Sequence, residues 1–167
     1  IFGMAYLGSD LYVVGDFTQI GGITASRVAR RDSLGGWHAL GSGLDGHAEC
    51  VAVYNGQVFV GGTFTNAGGT AVSNIARWNG SAWQAVGTGV NGPVHEMTQW
   101  TSDLVVVGEF TTAGGLPTQR AARWGGNTWF AFPGALNGTA RCATVHNGEV
   151  YVGGDFTFGG IGAGQTM

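Results

Sequence analysis

The neighbouring histidines and glutamates of this sequence are the side chains best suited to bind a ligand. His47 stands two residues before Glu49, and His95 directly precedes Glu96. Arg141 takes their place in the next of the repeats described below. Imidazole and carboxylate groups at one surface can hold a metal ion or hydrogen-bond a polar ligand, although loops also carry such residues without binding anything. We predict a ligand-binding rim of these five residues, with no bound metal and no cofactor.

Two glycine-rich segments match the G-x-G-x-x-G fingerprint of dinucleotide-binding proteins. They are Gly41–Gly46 and Gly87–Gly92. A nucleotide site needs this fingerprint between a strand and a helix, and no helical periodicity follows either segment, so we predict loops between repeats. The sequence contains no Gly-x-Ser-x-Gly elbow, P-loop or Cys-x-x-Cys pair. We therefore predict no catalytic residue, and a non-enzymatic role is favoured over an enzymatic one.

Acidic and basic residues also recur at fixed places. The acids precede a repeated phenylalanine, at Asp16, Glu109 and Asp155. The arginines are Arg30, Arg77 and Arg123. The acids could form a carboxylate ring that binds a cation, or each could make one structural contact per repeat, to an arginine or a turn. Repetition once per unit favours the structural contact.

A short sequence motif occurs four times and defines the repeat that must position these residues. Its phenylalanines are Phe17, Phe64, Phe110 and Phe156, at spacings of 64−17 = 47, 110−64 = 46 and 156−110 = 46. A tryptophan recurs at the same spacing, at Trp37, Trp83 and Trp129. We predict one domain over residues 1–167, with repeats at about 1–47, 48–93 and 94–139 and a half repeat at 140–160.

Each repeat is predicted to hold four short strands. In the second repeat they cover residues 50–54, 58–64, 74–78 and 82–86, with tight turns at Asn55-Gly56 and Asn79-Gly80. Asn-Gly between apolar runs is a strong hairpin signal. Four antiparallel strands per repeat of this length predict an all-β propeller segment of about three and a half blades. Glycosylation sequons begin at Asn79 and Asn137, where turn chemistry already explains the sequence.

Composition narrows the classes of partner. Glycine supplies 33 of 167 residues, and the net charge is −3 without a single lysine. Nucleic-acid binding needs clustered positive charge, and membrane insertion through a helix needs about 20 apolar residues in a row, so we predict neither. The two cysteines, Cys50 and Cys142, occupy equivalent positions two repeats apart. That separation exceeds the reach of a disulfide, so we predict two unpaired and mostly buried thiols.

The repeat resembles a known family. A double glycine ends the second strand, an aromatic residue follows on the third strand, and a tryptophan opens the fourth, as in the string running from Val60 to Gly92. This pattern resembles kelch or galactose-oxidase-type propeller repeats. It is similar to repeats of large secreted bacterial proteins and of the fungal cortical polarity-marker family. Some galactose-oxidase relatives hold a copper radical site, but this sequence shows no matching Tyr/Cys/His constellation.

The resemblance implies a secreted protein, located outside the cell or at its surface. We expect a non-enzymatic binding, adhesion or structural module for a protein or glycan ligand. Two alternatives stay open: part of a propeller enzyme, carbohydrate-active or oxidase-like, whose catalytic residues lie outside this chain, and a lectin-like glycan binder. Because propellers of this type close with more blades, the expected partners also include further blades of a longer chain or further copies of this one.

Overall fold

The computed structural model describes residues 1–134 and 136–157. The strands, in chain order, are β1 (Gly3–Leu7), β2 (Asp10–Val14), β3 (Gln19–Ile20), β4 (Ile23–Thr24), β5 (Val28–Arg31), β6 (Trp37–Ala39), β7 (His47–Tyr54), β8 (Gln57–Thr63), β9 (Asn66–Ala67), β10 (Thr70–Ala71), β11 (Ile75–Trp78), β12 (Trp83–Ala85), β13 (Val94–Trp100), β14 (Asp103–Gly108), β15 (Thr112–Ala113), β16 (Leu116–Pro117), β17 (Ala121–Trp124), β18 (Trp129–Ala131), β19 (Ala140–His146) and β20 (Glu149–Gly154). Within the described residues, no helix is long and apolar enough to cross a membrane.

Three four-stranded antiparallel sheets follow one another along the chain, and we call them blades. Blade 1 has the order β1-β2-β5-β6, blade 2 the order β7-β8-β11-β12, and blade 3 the order β13-β14-β17-β18. The hairpin β19-β20 starts a fourth blade. The first strands β1, β7, β13 and β19 pack beside one another, so they are the inner strands. The chain is therefore an all-β propeller segment, as its repeat predicts.

Each blade carries a small additional hairpin that the sequence did not predict. In blade 2 it is β9-β10, and the double glycine forms its turn with φ angles of 56° at Gly68 and 90° at Gly69. Two positive φ angles in a two-residue turn are characteristic of type I′, which glycine adopts readily. A Cβ atom at Gly68 would also lie 2.5 Å from Cδ1 of Trp83. The glycine therefore serves both the turn and the packing of the repeated tryptophan.

The core lies between blades rather than within any single blade. One buried cluster joins side chains of blades 1 and 2, and another joins blades 2 and 3. The repeated tryptophans bridge these layers, because the Trp83 indole donates a 2.9 Å hydrogen bond to the Leu40 carbonyl, and Trp129 does the same to Val86. Of the repeated phenylalanines, Phe64 and Phe110 in the middle blades are buried. Phe17, Phe156 and Trp37, in the outer blades, are half-buried.

Two sequence predictions need correction. The first strand of blade 2 begins at His47 rather than Cys50, because the chain continues to pair with β8 through a bulge. Both cysteines are unpaired, but only Cys50 is buried, whereas Cys142 is exposed. Cys50 is covered by the inner strand of blade 3, where its Sγ lies 4.0 Å from the Val94 carbonyl oxygen. Residues 158–160, which end the predicted half repeat, lie outside the described residues.

Candidate functional site

The predicted rim residues lie inside the inner strands, not in loops before them. In three blades the pairing between the first and second strand skips one residue, which is Glu49 in β7, His95 in β13 and Arg141 in β19. Such a bulge leaves its residue unpaired and re-aims its side chain. The fold thus brings three chemically different side chains to one equivalent position. We call this end of the inner strands the rim.

A series of polar contacts along the rim runs from Asp16 in blade 1 to Glu109 in blade 3. Nδ1 of His47 lies 2.8 Å from Oδ1 of Asp16, and Nε2 of the same ring lies 4.0 Å from Glu49. Glu49 in turn approaches Nδ1 of His95 to 2.8 Å, which joins blade 2 to blade 3. Of the acids before the repeated phenylalanines, for which we predicted arginine or turn contacts, Asp16 and Glu109 reach histidines, whereas Asp155 pairs with an arginine.

His95 lies between two carboxylates. Its Nδ1 faces Glu49 at 2.8 Å, its Nε2 faces Glu109 at 3.2 Å, and its side chain is 11 % exposed. A neutral imidazole can donate a hydrogen bond to only one of these groups, whereas the imidazolium can donate to both. The ring therefore connects Glu49 of blade 2 with Glu109 of blade 3, and only the imidazolium can donate to both acids at once.

The last hairpin adds a separate ion pair that contains a stronger base. Nε of Arg141 donates a 2.7 Å hydrogen bond to Oδ2 of Asp155. That hydrogen bond raises the pKa of Arg141, and the nearby carboxylates of Glu109 and Glu49 add to the effect. The same bond lowers the pKa of Asp155. Arg141 therefore brings a permanent positive charge to an otherwise acidic rim.

Glu96 differs from the other rim acids because it is partly withdrawn from water. Burial raises its pKa, the hydrogen bond that it accepts from the Met97 amide opposes this, and the charge of Glu49 raises it further. Glu96 occupies the position that Cys50 holds in blade 2. Burial raises the pKa of the Cys50 thiol well above its ordinary value, and the charges of Glu96 and Glu49 contribute. Cys50 is therefore a packing residue, not a reactive thiolate.

A cleft of about 470 Å³ opens between the inner strands at the rim. We call it the axial cleft, and its lining is Phe2, Gly3, Met4, Glu49, Cys50, Val51, His95 and Glu96. Three of the five predicted ligand-binding residues thus share one cavity. His47 and Arg141 lie on the rim but do not line this cavity. Within residues 1–134 and 136–157, no three His, Cys, Asp or Glu side chains are grouped so that they could hold a metal ion.

The repeated arginines lie away from the rim, and two of them pair with acids that were not predicted from the sequence. Arg30 pairs with Asp10 at 2.8 Å, and Arg123 pairs with Asp103 at the same distance. Both acids open the second strand of their blade, 20 residues before the arginine. That constant separation was the signal available in the sequence. Arg77 differs, because blade 2 has Gln57 where the other blades have the acid.

The glycine-rich fingerprints are loops between blades, as predicted. In the first, the carboxylate of Asp45 accepts hydrogen bonds from the Thr65 and Asn66 amides, each at 2.9 Å. Burial acts to raise the pKa of Asp45, but the hydrogen bonds from Thr65 and Asn66 outweigh it and lower that pKa. A Cβ atom at Gly43 would lie 2.3 Å from the Ser26 carbonyl oxygen. The glycines thus allow close approach of two backbones, not of a phosphate.

Comparison with known proteins supports the β-propeller fold. A family model described as a β-propeller domain of unknown function (DUF5122) matches residues 55–80. This segment runs from the turn after β7 to the turn before β12, and so covers much of blade 2. No curated protein matches the chain. The chain therefore contains a β-propeller-type repeat, and its fold is that of a β-propeller.

Proposed function

We propose that this propeller segment is a non-enzymatic binding module that receives its ligand in the axial cleft. The observation that carries the proposal is the contrast between two kinds of repeated position. Positions that pack the blades keep their residue type, as at Trp83 and Trp129. The bulge position does not, because it holds Glu49, His95 and Arg141. Packing does not dictate these residues, so they are free to serve recognition.

The charges of the rim support a ligand rich in hydrogen-bond donors. Five of the ten acidic residues of the chain belong to the rim, namely Asp16, Glu49, Glu96, Glu109 and Asp155. They face one arginine and two histidines. Carboxylates accept hydrogen bonds from hydroxyl and ammonium groups. The hydroxyls of a glycan or the basic side chains of a protein match this surface.

We place the module outside the cell, in a secreted or cell-surface protein. The resemblance to repeats of large secreted bacterial proteins supports this location. The inner strand β1 supports a further part of the proposal, that another blade packs against blade 1. Met4 and Tyr6 of β1 are 65 % and 68 % exposed, whereas Val51, the equivalent of Met4 in blade 2, is only 8 % exposed because blade 1 covers it.

The test is ligand binding by the purified chain to arrays of glycans and of basic peptides. We expect Glu49→Gln and His95→Ala to weaken binding of the captured ligand about tenfold, the loss typical of one charge-assisted hydrogen bond. His38→Ala is the matched control. His38 lies on the outer strand of blade 1, away from the rim, and pairs with Asp32 at 2.7 Å. Binding that is indifferent to the two rim variants would contradict the proposal. Turnover of a substrate that depends on His47 or His95 would also contradict it.

A further inference from the structure

A second cavity lies at the end of the blades opposite the rim. Its volume is about 300 Å³, and it opens between blades 2 and 3, where the β7–β8 turn approaches the β17–β18 turn. Asn55 belongs to the first of these turns and Asn127 to the second, and both line the cavity together with Gln57, Arg77 and Trp124. We call this cavity the Arg77 pocket. The axial cleft shares no residue with it.

Arg77 differs from its two counterparts because no acid neutralises it. Arg30 and Arg123 each donate a 2.8 Å hydrogen bond to an aspartate at the start of the second strand. Blade 2 has the neutral Gln57 at that position, and Arg77 has no ion-pair partner among the described residues. The nearby carboxylate of Asp103 is already engaged by Arg123. The pocket therefore contains a positive charge without a counter-charge.

Two N–H groups of pocket-lining residues are also without an acceptor. Nε of Arg77 and the indole Nε1 of Trp124 are buried and make no hydrogen bond among the described residues. Trp124 as a whole is 3 % exposed. Nε of Arg123 is buried without an acceptor in the same way although Arg123 pairs with Asp103, so what distinguishes the Arg77 pocket is the charge of Arg77 that no acid balances. The side chains of Arg77 and Trp124 can only donate hydrogen bonds, so a ligand in this pocket must offer acceptors, and the charge of Arg77 favours an anion.

The remaining lining indicates what else the ligand carries. The side-chain amides of Asn55, Gln57 and Asn127 can donate and accept hydrogen bonds, as hydroxyl groups require. The aromatic rings of Tyr54 and Phe59 are 2 % and 1 % exposed, so they form a wall rather than an open stacking surface. We propose that the Arg77 pocket binds the carboxylate or sulfate group of a small acidic saccharide, with Arg77 as the residue that receives the anion. This site is separate from the axial cleft.

The test exploits the difference between the blades. Calorimetric titration should detect binding of glucuronate or of a sulfated hexose to the unmodified chain, but not of glucose. The two anionic probes distinguish a carboxylate from a sulfate source. Gln57→Asp restores the acid that blades 1 and 3 already carry, so the variant should fold and its Arg77 should be neutralised. We expect this change, and Arg77→Gln, to weaken anion binding at least about tenfold.

The cavity between blades 1 and 2 provides the control. It has a volume of about 320 Å³ and is lined by Arg30 and Trp78, the counterparts of Arg77 and Trp124, but Arg30 is paired there with Asp10. Arg30→Gln should leave binding unchanged. In NMR spectra, the indole N–H signal of Trp124, assigned with Trp124→Phe, should shift on titration. The proposal is overturned if neither probe binds, if only inorganic sulfate binds, or if binding is the same in Gln57→Asp.

Discussion

At the scale of single residues, equivalent positions in successive blades hold different side chains, and their properties depend on what covers them. Cys50, Glu96 and Cys142 are equivalent, because each pairs with the same position of the second strand in its blade. All three differ in exposure: Cys50 is buried, with Val94 beside its sulfur, Glu96 is half-buried at the axial cleft, and Cys142 is exposed. The cost of a charge at this position therefore depends on the neighbouring blade, since burial disfavours the ionised form.

Glu96→Gln should stabilise the fold at neutral pH and have little effect in acid. Burial and the charge of Glu49 raise the pKa of Glu96 in the folded state, so its ionisation opposes folding. This cost is absent below the pKa of Glu in the unfolded chain, and it grows as the pH rises through the folded-state pKa. Glutamine keeps the oxygen that accepts the Met97 amide hydrogen bond.

The measurement is the free energy of unfolding in urea at about pH 7 and about pH 4, for the unmodified chain and the variant. In a Glu49→Gln background, Glu96→Gln should raise the free energy of unfolding by less, because the charge of Glu49 no longer contributes to the raised pKa of Glu96. A variant that gains as much stability in acid as at neutral pH would contradict the assignment.

At the scale of elements, the hairpin between the first two strands shows how turn chemistry shapes each blade. In blade 2 the turn residues Asn55 and Gly56 have φ angles of 49° and 69°, and Asn147-Gly148 repeats this turn in the last hairpin. In blade 3 the equivalent position is Thr101, with a φ of 53°. A β-branched residue is strained in this left-handed region, whereas asparagine tolerates it.

Thr101→Asn should therefore stabilise the chain by about 1 kcal/mol, the scale of the left-handed penalty that it relieves. The reverse change, Asn55→Thr, should destabilise it by a similar amount. Thermal unfolding of both variants under identical conditions measures the effect. A loss of stability in Thr101→Asn would mean that the 2.7 Å hydrogen bond from the Thr101 hydroxyl to the Trp100 carbonyl outweighs the strain.

The tryptophan that opens the fourth strand connects its own blade with the preceding one. Trp83 is 5 % exposed and donates its indole N–H to the Leu40 carbonyl. We expect Trp83→Ala to cost about 3–5 kcal/mol of unfolding free energy, as large core truncations do. Trp37→Ala, in blade 1, should cost clearly less, because Trp37 is only half-buried. Equal losses in chemical denaturation would contradict the inter-blade role of Trp83.

At the scale of the whole molecule, the blades are stabilised mainly by one another. The two largest buried clusters each combine side chains of two neighbouring blades. A blade face without a neighbour therefore exposes apolar side chains, as Met4 and Tyr6 do on β1. Exposed apolar faces of this kind promote association.

We expect the 17.2 kDa chain to associate through this face in solution. Light scattering on a sizing column should give a molar mass above that of one chain, and the double variant Met4→Glu with Tyr6→Glu should lower it. Leu34→Glu is the control, because Leu34 is 95 % exposed outside the strands and should not affect association. A monodisperse single chain, unchanged by the double variant, would contradict association through β1.

The sequence by itself determined the architecture. Phenylalanines and tryptophans at a constant step, with Asn-Gly turns between apolar runs, specify blades because period and turn chemistry are local properties of the chain. The strand limits were predicted less well, since a bulge at Glu49 extends β7 to His47 without any local signal. The small hairpins were missed for a related reason, because strands of two residues are too short to show a period.

The candidate sites needed the tertiary structure. The sequence selected His47, Glu49, His95, Glu96 and Arg141 as a set, but their contacts join residues as far apart as Glu49 and His95, and only the stacking of blades creates those distances. The sequence does show Gln57 in place of the aspartate that stands 20 residues before Arg30 and Arg123, but only the pairing across the sheet shows that Arg77 thereby lacks a counter-charge. Local patterns fix turns and strands, whereas burial and charge pairing depend on which blade covers which.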